Sequence, residues 1–98
     1  MYPAVTVSTP LTGPPAACSW GVNRLDVFAR GARGEILHKS WDGRAWSPFV
    51  SLGMPVDAER RWLPSAGAVT ACTWGSTRLD VLTRAVDGNV YHAWFDGR

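Results

Sequence analysis

The chain has 98 residues, 46% of them hydrophobic and 18% charged, and a formal net charge of +2. That length holds one small globular unit, and ten scattered Lys/Arg against eight Asp/Glu exclude a strongly basic nucleic-acid surface. No apolar run approaches the roughly 18 residues of a membrane-spanning helix, and no basic-then-apolar leader opens the chain.

In chain order, the N-terminal segment 1–16 contains one extended apolar stretch, Tyr2–Val7, which is a candidate strand. Ala17–Trp20 reads as a first strand, stopped by Gly21 and Asn23. From Arg24 to Arg30, Leu25, Val27 and Ala29 alternate with Arg24, Asp26 and Phe28, the period of a strand. Gly31–Gly34 makes a turn, Glu35–Trp41 a third strand, and Asp42-Gly43 a second turn. Trp46–Leu52 supplies a fourth strand ending at Gly53. A connecting loop, 54–70, carries the charge run Glu59-Arg60-Arg61 and leads to a second series at 71–98. Nothing reads as a helix of useful length.

The second series repeats the first. Residues 17–44 align with 71–98 at a constant offset of 54, and 14 of the 28 positions are identical. A period near 50 residues with several short strands per unit is the signature of a propeller-type array. The expectation is all-β, with two four-stranded antiparallel blades per chain. The second repeat (71–98) lacks a fourth strand, which Tyr2–Val7 could supply to its own chain or to a neighbour. Two blades cannot close a ring, since propellers need roughly four to eight. A head-to-tail homo-oligomer is expected, a trimer of six blades ahead of a tetramer of eight.

Cys18 and Cys72 fall at the same repeat position, so they read as small buried residues too far apart to bridge. Two Cys and two His at these spacings do not make a metal site, and no cofactor is expected. Six tryptophans in so short a chain point to large rings used as core wedges or as ligand platforms. Trp20 and Trp74, each before a glycine at a strand end, fit either use. Arg24 and Arg78 can fork to ligand hydroxyls, but each lies two residues from an Asp (Asp26, Asp80) that would pair with it. His38 and His92 read as structural histidines bonding backbone groups or as ligand contacts. Trp94 replaces Ser40 on the His92 face, so the two repeats would carry unequal pockets; Trp41 and Phe95 lie on the opposite face.

The repeated pattern Ser19-Trp20-Gly21, Arg24-Leu25-Asp26-Val27, Gly34, His38 and Trp41-Asp42-Gly43-Arg44, returning as Thr73-Trp74-Gly75, Arg78-Leu79-Asp80-Val81, Gly88, His92 and Phe95-Asp96-Gly97-Arg98, resembles the blade motif of the PLL-like family of bacterial β-propeller lectins. The resemblance covers about nine tenths of the chain. It departs from the family in having two blades where members usually encode seven. It implies a carbohydrate-binding lectin with sugar pockets between blades and with fucose or O-methylated sugars as ligands. The sugar contacts expected are Ser19, Trp20, Arg24, His38, Thr73, Trp74, Arg78, His92 and Trp94. A secreted or cell-surface-directed role follows from such a target. The alternative is a structural or protein-interaction propeller without sugar binding. An enzyme is not expected: the repeated acids are Asp26 and Asp80 beside an Arg and Asp42 and Asp96 in turns, with no carboxylate pair set across a scissile bond.

Overall fold

The structure, a computed structural model, describes residues 11–75 and 77–96. The candidate strand Tyr2–Val7, the residue Ser76 and the terminal pair 97–98 lie outside the described residues. The described chain is all-β: β1 (Ala16–Cys18), β2 (Leu25–Arg30), β3 (Ile36–Trp41), β4 (Val50–Ser51), β5 (Ser65–Cys72), β6 (Leu79–Ala85) and β7 (Val90–Phe95). They form two antiparallel sheets in sequential order, β1-β2-β3-β4 and β5-β6-β7. No helix of the described residues is long and apolar enough to cross a membrane.

The two repeats use the same register. Cys18 pairs with Asp26 and Asp26 with Ser40, as Cys72 pairs with Asp80 and Asp80 with Trp94. The turns are also shared: Asn23 and Thr77 both adopt φ 58°, and Gly34 and Gly88 adopt φ 83° and 85°. Gly34 closes the β2–β3 hairpin by donating from its N–H to the Gly31 carbonyl. A side chain there would meet the Pro64 Cβ at 2.4 Å, so glycine is required both by conformation and by space.

Three boundaries differ from the sequence reading. β4 is two residues rather than seven, because Pro48 lacks the N–H that a ladder through Trp46–Leu52 needs; Trp46 joins only through an isolated bridge to Trp41. β1 ends at Cys18, since Ser19 turns back to bond the Gly21 carbonyl. β5 starts at Ser65, inside the segment read as connecting loop, and bulges between Ser65 and Val69 before regaining register.

The sheets meet through non-equivalent faces. Alternation puts Cys18, Asp26, Phe28, Ile36, His38 and Ser40 on one face of the first sheet, called here the inner face. The core joins Phe28 and Ile36 of that face to Val69, Leu79 and Val81 of the second sheet. Val81 is the repeat counterpart of Val27, which lies on the first sheet's opposite, outer face. The sheets thus stack front to back, with equivalent faces aimed the same way. The second sheet's own front, carrying Cys72, Asp80, Leu82, Val90, His92 and Trp94, has no sheet against it among the described residues.

That arrangement corrects the reading of the cysteines. Both are free thiols, but only Cys18 is half-buried, under the second sheet; Cys72 is exposed on the uncovered front. Burial, with the Asp26 charge added, pushes the Cys18 thiol pKa up.

Candidate binding site between the sheets

Each repeat centres on an aspartate. Asp26 sits mid-face on β2 and is 0% exposed. Arg24, one turn of the strand pleat earlier, donates from Nε to Asp26 Oδ2 at 3.0 Å and from Nη2 to Oδ1 at 2.8 Å. His38, across on β3, donates from Nε2 to Asp26 Oδ1 at 2.7 Å. A buried carboxylate needs this saturation, since an unpaired charge there is strongly destabilising. The Asp26 hydrogen bond raises the Arg24 pKa further. The second repeat rebuilds the cluster: Arg78 reaches Asp80 at 3.0 and 2.8 Å, and His92 reaches it at 2.6 Å. Here Trp74 adds a third donor, its indole N–H lying 2.8 Å from Asp80 Oδ2. Hydrogen bonds led by Arg78 hold the Asp80 carboxyl down to about 2.

The histidines therefore bond a carboxylate rather than a backbone group. The aspartates are the hub that sequence reasoning left out of the site; their exact repetition with Arg and His was the available signal. An aspartate two residues from an arginine on the same strand face reads locally as a simple ion pair. Only the β2–β3 register adds the histidine from twelve residues away.

The aromatic positions divide. Trp20 packs against the core with its indole N–H buried and without a partner among the described residues, while Trp74 is 72% exposed. Each lies against the arginine of its repeat, with Arg24 5.1 Å from the Trp20 ring centre and Arg78 4.8 Å from that of Trp74. Trp94, 61% exposed, stacks near His92 at 5.4 Å and near Arg78 at 5.9 Å. In the first repeat His38 stacks on Phe28 instead, at 4.7 Å. Ser19 and Thr73 are spent locally: each hydroxyl donates to the carbonyl two residues on, Gly21 and Gly75. Asp42 is a turn former, accepting from the Arg44 and Ala45 N–H groups beside Gly43 at φ 98°.

A cavity of about 300 Å³ opens between the sheets over the first cluster. Arg24, His38 and Phe28 form its wall on the first sheet; Leu79, Val81, Ala93 and Phe95 form the wall on the second, bordered by Trp94, whose ring lies with His92 on the other face of β7. Of the sequence-expected site residues it brings together Arg24 and His38, with Trp94 at its border, and leaves out Ser19, Trp20, Thr73, Trp74, Arg78 and His92. A neighbouring cavity, also of about 300 Å³, is lined by Ile36, the Leu52–Val56 stretch and Tyr91, with no arginine; His92 borders it, but its imidazole is bonded to Asp80 on the other face of β7. Polar groups converge with apolar walls in the first of these, which is the stronger binding site.

Such a cavity suits a small, neutral ligand with both hydroxyl groups and an apolar face. Arg24 keeps N–H groups beyond those committed to Asp26, and the fork is pre-oriented by the carboxylate. No described group of three or more His, Cys, Asp or Glu could hold a metal ion. Compared with the models of known protein families and with curated proteins, the sequence matches none.

Proposed function

We propose that the chain is a carbohydrate-binding lectin that binds glycans reversibly between propeller blades. One observation carries the reading: the cavity that sets Arg24 and His38, both tied to Asp26, opposite the apolar wall of Leu79, Val81 and Phe95. A sugar offers the complementary surfaces. Its C–H face packs on Phe28 and Phe95, while its hydroxyls accept from Arg24 and donate to the remaining ring nitrogen of His38. Fucose or O-methylated sugars are the ligands that the resemblance to PLL-like lectins suggests. In this reading each sheet is a blade, and copies of the chain close a ring, a trimer of six blades ahead of a tetramer of eight. Repetition of weak pockets around the ring then supplies avidity on a glycan-coated surface.

The test is titration calorimetry of the purified protein against L-fucose and O-methylated monosaccharides, with Arg24→Lys, which keeps a cation beside Asp26 but removes the fork, alongside. Binding by the parent and its loss in the variant, with an unchanged circular dichroism spectrum, is expected. A parent that binds none of these sugars would overturn the lectin reading. Trp20, half-buried against the core and absent from the cavity lining, is what favours the second reading, a scaffold or protein-interaction propeller.

A further inference from the structure

We propose that the uncovered front of the second sheet docks the outer face of the first sheet of a second copy of this chain, and that this contact completes a second ligand pocket around Arg78 and His92. The pocket's ligand class rests on the lectin reading above; the contact itself does not.

The chain contains its own control. Ile36 and Val90 occupy the same repeat position, yet Ile36 is 6% exposed and Val90 66%. The same contrast separates Phe28, which is buried, from Leu82, which is half-buried, and half-buried Trp20 from exposed Trp74. The backbone registers of the two repeats match, but β3 is also flanked by β4, with Ile36 bonded to Leu52 and Gly53, whereas β7 is the edge of the described sheet. The cover differs too: the second sheet lies over Ile36 and Phe28, and no described sheet lies over Val90 and Leu82. The front therefore displays Trp74, Val90 and Trp94 as one apolar patch around a charged cluster, a surface that monomers rarely leave open.

The matching cover is present on the same chain. In the core, the residues laid over the first front are Leu79 and Val81, with Phe95 and Ala93 walling the cavity. Their repeat counterparts are Leu25, Val27, Trp41 and Lys39, all on the outer face of the first sheet. One chain thus carries both halves of an interface it already forms once internally. Joining front to back between copies is a heterologous contact, which propagates head to tail until it closes.

The second pocket would differ from the first. On its Arg–His wall Trp94 stands where the first has Ser40, and a second copy's Lys39 replaces Ala93 on the facing wall. It gains an aromatic platform and a cation. Without the second copy it has only one wall.

Two exposed positions allow a test that spares the fold: Ala17 on the outer face and Val90 on the front. A heterologous contact predicts complementation in light scattering. The parent forms an assembly of three or more copies, whereas Ala17→Asp and Val90→Asp are each monomeric. Mixed one to one they form a dimer, because one intact front meets one intact outer face. A monomeric parent, single variants that still assemble, or a mixture that stays monomeric would each overturn the proposal. Circular dichroism checks that both variants fold; should either fail, Trp94→Asp and Leu25→Asp replace them. With L-fucose as the probe, the stoichiometry should fall from two per chain in the assembly to one per chain in either monomer, and an unchanged stoichiometry would refute the second pocket. Absence of any L-fucose binding sinks the lectin reading and the second pocket with it, and leaves the scattering result to decide the contact.

Discussion

His38 donates to the same Oδ1 atom of Asp26 that already accepts from Arg24, so one buried carboxylate fixes both polar groups of the cavity wall. Strand pairing makes this possible: Asp26 faces Ser40 across β2 and β3, which leaves His38 diagonal to it on the same face. Stability and binding geometry therefore depend on the same atom.

Replacing that carboxylate should be costly. Asp26→Ala leaves Arg24 and His38 without their partner in a closed site, and a loss of about 3–5 kcal/mol is expected from urea unfolding. Asp80→Ala should cost less: Asp80 is buried like Asp26, but its partners His92 and Trp74 are exposed, so water can reach the groups it leaves unpaired. Equal losses at the two positions would contradict the difference in cover.

Acid should act through Asp80. Its folded-state carboxyl is held near 2, against an ordinary value of 3.8, chiefly by the Arg78 hydrogen bonds. A lowered folded pKa gives stability that is present above about pH 4 and is lost as pH falls from 4 towards 2. An Asp80→Asn variant should therefore show a shallower decline across that window in an unfolding series. Parallel curves for the two proteins would exclude the mechanism.

The two hairpin glycines separate conformation from space. Both Gly34 and Gly88 have φ near +85°, so alanine is strained at either. At Gly34 a Cβ would also lie 2.4 Å from the Pro64 Cβ and 2.8 Å from its Cα, whereas at Gly88 the space is open. Gly88→Ala should cost about 1 kcal/mol, and Gly34→Ala about 2–4 kcal/mol. Thermal unfolding of the pair gives the ranking directly.

Trp94 offers a change at the cavity with little effect on the fold. Its ring is mostly exposed, and Trp94→Ala should leave the unfolding midpoint within experimental scatter. Affinity for L-fucose in the Arg24 cavity should be unchanged, because the ring lies with His92 on the opposite face of β7 from Phe95. A lowered calorimetric affinity would put the Trp94 ring on the ligand wall.

The sequence by itself determined the repeat, the strands and the turns. Alternation from Arg24 to Arg30, the glycines at 34 and 88 and the Asp42-Gly43 pair are local signals, and each corresponds to the element or turn found. The Arg–Asp proximity was equally local. Tertiary structure decided which face of each sheet is covered, because both faces of β2 carry apolar residues, Phe28 on one and Val27 on the other. Alternation separates the faces without saying what meets them. For the same reason identical motif residues differ in fate: Trp20 is packed and Trp74 exposed, Cys18 half-buried and Cys72 open to solvent. The binding of His38 and His92 to aspartates also needed the fold, since a contact across twelve residues exists only once β2 and β3, or β6 and β7, are in register.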